Sequence, residues 1–575
     1  MIPQFLTKQA IVAKPSYNRW LISFSALGIH LCIGSVYAWS LFNPALTKRV
    51  GVVASASQDW SLSNVVWVFT VAIVVLGLSA SFLGKWLERV GPRLVGLVSA
   101  ACWGGGFVLG GLGIITGQLW LLYLGYGVIG GIGLGAGYIT PVSTLVRWFP
   151  DRRGMATGIA IMGFGGGAMI AKFMVDPLVT AFYRSPEYLG AEHAVSLVTK
   201  AGKRFAEVGG QLKEVVVVGA NDVSNMIVPG PEGVYAVGTG TVGVAQTFIA
   251  LGLVYFVIMV AAAFSYRVPP KGWKPEGFEA KKTGGMVSSN DVHVDQALKT
   301  PQFYQMWIVL CFNVAAGIGV LAVAKTMMKE IFGTTLPGTV DAGFAATYVL
   351  MISLFNLLGR FCWASISDYI GRKNTYHVFF GFGILLYLSI PFMAAQVSVS
   401  PSVVYLVGFY AVTMLIFTMY GGGFATIPAY IADIFGTGFV GAIHGRILTA
   451  WSTAGVIGPL AITMLRENAV DEAITNLTAT IDPAKFQGAF GAGKEQLTTL
   501  VEAKTVTIAK LMEIAPAGTV DPTPGLYNTT MYLMAALLFL ALLANVFMKP
   551  VDARHHMELE AESEEAPQKR AEAPA

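Results

Sequence analysis

Charge is scarce in this chain: Asp, Glu, Lys and Arg supply 12% of its 575 residues, about half of the roughly 25% carried by soluble globular proteins. A soluble enzyme is excluded on that ground, and a mean hydropathy of +0.62 agrees. Cysteine is scarcer still. The four present, Cys32, Cys102, Cys311 and Cys362, each fall inside an apolar run, so no disulfide framework is expected. No phosphate-cradling loop of the GxxxxGK[ST] type occurs, which removes ATP as a drive. Metal-ligand spacing is missing too, because His555-His556 sits in an acidic tail and reads as a solvated pair. A net charge of only +5 supplies no clustered basic face for nucleic acid. No cofactor, metal or catalytic residue is therefore expected.

What the chain has instead is apolar length. A hydrocarbon core about 30 Å thick takes about 20 residues of helix. Apolar stretches of that order lie at 20–42, 62–83, 95–116, 119–145, 155–181, 245–266, 303–325, 344–366, 376–395, 403–430, 441–465 and 526–548. They predict an all-α integral membrane protein with twelve spans. The 66 glycines fit this, because small residues let membrane helices approach closely. Lys8, Lys14 and Arg19 precede the first stretch, which is too long for a signal peptide and lacks a cleavage site, so it reads as an uncleaved span.

Lys and Arg in short loops stay on the cytoplasmic side. Such loops hold Lys85, Arg89 and Arg93, then Arg147, Arg152 and Arg153, then Arg372 and Lys373, whereas the loops near 117 and 396–402 hold neither. Both termini are thus expected in the cytoplasm of a cell bounded by this membrane. The expected order is an N-terminal segment 1–19, a six-span bundle 20–266, a polar cytoplasmic linker 267–301, a second six-span bundle 302–548 and a disordered, solvated tail 549–575.

The halves repeat each other. Gly84-Lys85-Trp86-Leu87-Glu88-Arg89-Val90-Gly91-Pro92-Arg93 after span two is answered after span eight by Ala364-Ser365-Ile366-Ser367-Asp368-Tyr369-Ile370-Gly371-Arg372-Lys373. Acid, Gly and terminal base coincide, and internal repeats are how many transporters are built. Each half also carries an insertion before its last span, 183–243 and 466–525, on the outer face by the span count. The first contains a strand-like run from Glu214 to Gly219, and the second is more helical in pattern. Solvated loops and a small outer cap are the two readings.

The repeated loop resembles the inner-loop signature of the major facilitator superfamily. Further stretches narrow the resemblance: Tyr37 to Phe42, Gly133 to Tyr138, Arg147 to Gly154, Gly163 to Ala168, Tyr420 to Ala425, and Thr449-Ala450-Trp451 with Gly458-Pro459. Together they are similar to the oxalate/formate antiporter family, a relative of the monocarboxylate transporters. The resemblance covers nearly all the spans but neither insertion nor the tail. It implies two pseudo-symmetric six-helix bundles, a secondary transporter of small organic anions, and a cytoplasmic gate, placed here at Glu88, Arg89, Arg93, Asp368, Arg372 and Lys373.

An ionisable residue inside a span marks a pathway. Arg360 lies eight residues before Asp368, roughly 12 Å above the inner end of span eight at 1.5 Å per residue. Its guanidinium can grip a carboxylate bidentately, and the resemblance also puts a substrate-binding Arg in that span. Tyr138, Tyr420 and Trp451 fall at similar depth, with His30 level and Tyr37 farther out. Asn313 and Asn356 complete the candidate substrate-binding set. The resemblance implies two departures. Oxalate-binding members add a Lys in span eleven where Trp451 stands, and animal monocarboxylate transporters carry an Asp where Asn356 stands. One cation therefore favours a monoanion such as lactate, pyruvate or formate, and His30 is left as the candidate proton carrier. The expected partners are that anion, protons as a candidate co-substrate and the lipid bilayer around a monomer. Oxalate/formate exchange, or an inorganic-anion or drug transporter of the same fold, is the alternative.

Overall fold

In the computed structural model the described residues are 3–47, 60, 62–200, 203–218, 230–270, 272–277, 286–288, 290–502 and 506–557. Twelve helices among them are long and apolar enough to cross a membrane. They are α1 (Trp20–Gly34, tightening into a 3-10 segment Ser35–Leu41), α2 (Leu62–Val90), α3 (Pro92–Ile115), α4 (Leu119–Trp148), α5 (Arg153–Phe182) and α6 (Val244–Ser265) in the first half. The second half holds α7 (Pro301–Phe332), α8 (Ala342–Ile370), α9 (Arg372–Val399), α10 (Val403–Phe435), α11 (Thr449–Thr480) and α12 (Asn528–Val546). The tail expected from 549 lies outside the described residues beyond 557, as does the linker stretch 278–285.

The repeated loop acquires a physical reason. Gly91 (φ 89) and Gly371 (φ 86) each turn the chain directly from one span into the next, in a region of backbone space that side chains with a Cβ avoid. The base two residues later then serves its own half. Arg93 donates to the carbonyl of Phe264 at the end of α6 (3.0 Å) and to that of Phe5 (2.8 Å). Lys373 donates to the carbonyls of Val546 and Met548 at the end of α12 (both 2.9 Å). Cations suit the exposed carbonyls of a helix C-terminus. Arg93 and Lys373, expected at the gate, therefore tie the sixth helix of each half to its third, and Arg89 is left exposed.

The halves meet where α5 packs on α8 and α10, and where α2 packs on α11 and on the two-turn helix Val440–Ile447 preceding it. At this crossing a Cβ on Gly84 would stand 2.6 Å from the Ala442 Cα. Since both termini leave from one face of the bundle, the two insertions emerge from the other.

The first insertion is an antiparallel sheet of order β1-β5-β4-β3-β2, from β1 (Tyr188–Gly190), β2 (Leu197–Lys200), β3 (Lys203–Val208), β4 (Gln211–Val218) and β5 (Gly233–Ala236). Its register pairs Val215 with Ala236 and Arg204 with Val215. The strand-like run from Glu214 ends with β4 at Val218, and Gly219 lies outside the described residues. The second insertion is helical: α11 continues past residue 465, its expected edge, to Thr480 and is followed by short helices Pro483–Phe490, Leu497–Glu502 and Ile508–Ile514. Ile508 and Leu511 of the last of these are buried, so this segment packs as a folded cap rather than a solvated loop.

Candidate functional site

Arg360 is fully buried inside the bundle. Its Nε donates to Asn356 Oδ1 (3.1 Å) one turn earlier on α8, and its Nη1 donates to the Ile161 carbonyl on α5 (3.3 Å) across the interface between the halves. Both partners are neutral. The second terminal nitrogen, Nη2, is buried without a partner among the described residues. The guanidinium also lies over the Phe424 ring of α10, 5.1 Å from its centroid. Glycine makes the room: a Cβ on Gly165 of α5 would stand 2.8 Å from Arg360 Nε.

Around this cation the two halves contribute aromatic rings in mutual contact. Trp451 of α11 has its ring centroid 4.9 Å from Phe424, 5.3 Å from Tyr138 of α4, 5.4 Å from Phe164 of α5 and 6.2 Å from Tyr37 of α1. Tyr420 of α10 stacks edge-on against Phe424 at 5.4 Å. The hydroxyls of Tyr37, Tyr138 and Tyr420 and the Trp451 indole N–H are buried without hydrogen-bond partners among the described residues. A buried polar group with no partner costs about 1–3 kcal/mol. Four such groups gather around a cation whose hydrogen-bond partners are neutral.

The remaining sequence-predicted residues divide. His30 of α1 is in the cluster, its ring 5.3 Å from Tyr138 and 6.3 Å from Phe164. Asn356 acts through Arg360, as the acceptor that orients it. Asn313 of α7 donates to the Tyr420 backbone carbonyl at 3.5 Å and so supports α10. Sequence reasoning missed Phe164 and Phe424, which lie inside the quoted glycine-rich stretches, and His444, whose ring is 5.8 Å from Tyr138. A buried His among Gly441, Ala442 and Gly445 was the available signal.

Toward the face carrying the termini, an ionic network joins the halves. Glu88, at the end of α2, accepts from the Arg147 guanidinium of α4 and from the Gly441 N–H (3.1 Å) at the start of the helix Val440–Ile447. Arg147 also donates to the Gly438 carbonyl (3.0 Å). Asp368, the matching acid, accepts from the Gly154 and Met155 N–H groups (both 2.9 Å) that open α5 in the opposite half. Each acid of the repeat thus sits on a helix N-terminus of the other half, where a negative charge is favoured. Arg372 holds Asp368 (2.5 Å) and Asp433 (3.2 Å), and Arg153 reaches Asp433 (2.9 Å) from the first half. Arg147, Arg153 and Asp433 thus take the cross-half positions expected of Arg89, Arg93 and Lys373. Lys85 bonds both oxygens of Asp295 (2.6 and 2.8 Å) in the linker, which holds that exposed carboxyl below its usual range.

Comparison with known proteins agrees with this architecture. The oxalate:formate antiporter of Oxalobacter formigenes is 26% identical over 447 residues, covering 77% of this chain and 83% of that one. The apicoplast pyruvate carrier 1 of Toxoplasma gondii is 22% identical over 489 residues, covering 75% and 81%. The transporter FucP, solved in its outward conformation, superposes with a TM-score of 0.55 at 12% identity, covering 92% of this chain and 99% of its own. Residues 26–189 and 224–459 match the Major Facilitator Superfamily. With twelve spans, a repeated acid–glycine–base loop and a buried cation between its halves, the chain belongs to that superfamily of membrane transporters and resembles its oxalate/formate antiporter-like members.

Proposed function

We propose that this protein is a secondary transporter of small monocarboxylates, lactate, pyruvate or formate, working by alternating access. The observation that carries the reading is Arg360: a fully buried guanidinium whose partners are neutral and whose Nη2 has no hydrogen-bond partner among the described residues. A carboxylate supplies the missing charge and accepts from Nη2 at the junction of the halves. Trp451, Tyr37, Tyr138 and Tyr420 then enclose the organic body and offer four N–H or O–H donors. Relatives named for formate, oxalate and pyruvate support an anion of this class. Trp451 standing among the rings adds bulk and no charge, which favours one negative charge over two.

The face bearing the termini is the cytoplasmic one in this reading, by the Lys/Arg bias of its loops. The Glu88–Arg147–Gly441 and Asp368–Arg372–Asp433 networks form a gate that is closed in this conformation and parts when the halves rock. Counterflow of labelled lactate, pyruvate, formate and oxalate in proteoliposomes tests the substrate. Monocarboxylates should exchange and compete, and oxalate displacing substrate as well as any of them would overturn the choice of a monoanion.

A further inference from the structure

The geometry points to Gly317 of α7, a residue behind the ring cluster, as the determinant of how long a carboxylate the site accepts. The inference rests on the proposed anion site at Arg360. Gly317 is buried, and the Tyr420 ring lies directly against it. A Cβ on Gly317 would stand 2.6 Å from Tyr420 Cγ and Cε2 and nearer still to Cδ2, where carbon atoms need about 3.5–4.0 Å. With any side chain at 317 the ring has to shift by about an ångström to restore that contact. Tyrosine is a rigid plate carried on two torsions, so the whole ring moves.

Neither helix can absorb the shift. On α7 the Ala316 carbonyl accepts from the Tyr387 hydroxyl of α9 (3.0 Å), and the backbone rests on α11, where a Cβ on Gly458 would stand 2.9 Å from the Ala315 carbonyl oxygen. On α10 a Cβ on Gly421 would run into the Asn356 carbonyl of α8, and one on Gly423 into the Asn313 amide of α7. The ring cannot retreat either. The cavity beside it, lined also by Asn313, Phe379, Tyr387 and Leu538, holds about 10 Å³, the room of a single water. Phe417, with its ring 5.9 Å away, closes the side one turn earlier on α10. What remains is the side of Phe424, 5.4 Å away, with Trp451 and the Arg360 guanidinium against it. A side chain at 317 therefore drives Tyr420 toward the space of the anion's organic body.

Glycine at 317 thus holds the ring back and keeps room beyond the carboxylate. Formate carries only a hydrogen there and needs none of that room, whereas pyruvate and lactate add a carbon bearing a methyl group and an oxygen. The contacts of Arg360 with Asn356 and Ile161 involve neither Gly317 nor Tyr420, so the grip on the carboxylate is separate from the length limit. One methylene in an apolar pocket separates substrates by roughly 10–200-fold. An ångström of lost depth should therefore penalise pyruvate against formate at least tenfold.

The test is counterflow of labelled formate and of labelled pyruvate by the purified full-length protein in proteoliposomes, read as the ratio of their half-saturating concentrations. In Gly317→Ala the ratio should move at least tenfold against pyruvate, with formate within threefold of the unmodified protein. Gly381→Ala on α9, with nothing within 4 Å of its Cβ, should leave the ratio alone. Removing the ring should remove the penalty, so Tyr420→Leu and the double variant Gly317→Ala/Tyr420→Leu should share one ratio within twofold. Should Gly317→Ala fail to reach the membrane, that pair carries the test. A ratio in Gly317→Ala within twofold of the unmodified protein, or a tenfold penalty that persists without the ring, overturns the role of Gly317. If the unmodified protein exchanges oxalate but neither formate nor pyruvate, the monocarboxylate reading fails instead. Gly317 is then judged on oxalate against malonate: selective loss of malonate in Gly317→Ala supports the length limit, and equal loss of both overturns it.

Discussion

Replacing Arg360 by Met separates a binding cation from a structural one. An Arg at mid-membrane costs about 2.5–3.5 kcal/mol on an insertion scale. A hydrogen bond to a charged group returns about 1.5–3 kcal/mol, and here the Asn356 bond at 3.1 Å is the stronger of two, the Ile161 contact at 3.3 Å being long. Met keeps most of the volume, so cost and gain nearly cancel, and the ligand-free protein should change by no more than about 1.5 kcal/mol. Binding responds differently. Losing a charge-assisted contact weakens affinity by about 1.5–3 kcal/mol, tenfold to about a hundredfold. At a ligand concentration 100 times Kd the unmodified protein gains about 2.7 kcal/mol from ligand, whereas a variant weakened a hundredfold keeps about 0.4 kcal/mol. Thermal unfolding in detergent with and without pyruvate measures both quantities. A ligand-free loss of about 3 kcal/mol or more would make Arg360 a structural cation, and ligand stabilisation above half the unmodified value would remove it from the site.

Other perturbations probe the same geometry. Gly165→Ala places a Cβ 2.8 Å from Arg360 Nε and should weaken substrate affinity severalfold or more without removing charge, while Gly105→Ala, with nothing within 4 Å of its Cβ, should leave transport kinetics alone. Trp451→Lys adds a second cation beside Arg360 and should shift competition from monocarboxylates toward oxalate; an unchanged order of inhibition refutes the charge argument. Glu88→Gln weakens the Arg147 contact and the seat of the helix Val440–Ile447. Maleimide labelling of a cysteine at Ile443 from the gate side should then rise about fivefold or more, corresponding to about 1 kcal/mol for a partly exposed pair. Cysteines at Glu276 and Gly209, both exposed, should label from opposite faces of the membrane, and labelling of both from one face would refute the assigned topology.

The spans, their number and the repeat were legible in the sequence because they are one-dimensional properties. Twenty apolar residues cross a bilayer whatever their neighbours, and a loop signature that recurs in register announces two similar halves. Arg360 was legible for the same reason: a cation within an apolar run is conspicuous before any fold is known. Depth arithmetic along single helices also brought Tyr138, Tyr420 and Trp451 to one level. What it could not supply was the direction in which a side chain faces, which depends on helix rotation and on contacts between segments far apart in sequence. Only the tertiary structure decided that Phe164 and Phe424 complete the ring cluster and that His444 meets Tyr138 across the interface. It also separated the repeated charges, sending Glu88 and Asp368 to helix N-termini of the opposite half and Arg93 and Lys373 to helix C-termini of their own. An acid and a base five residues apart look alike as a charged loop, but the helix dipoles they answer to belong to different halves of the molecule.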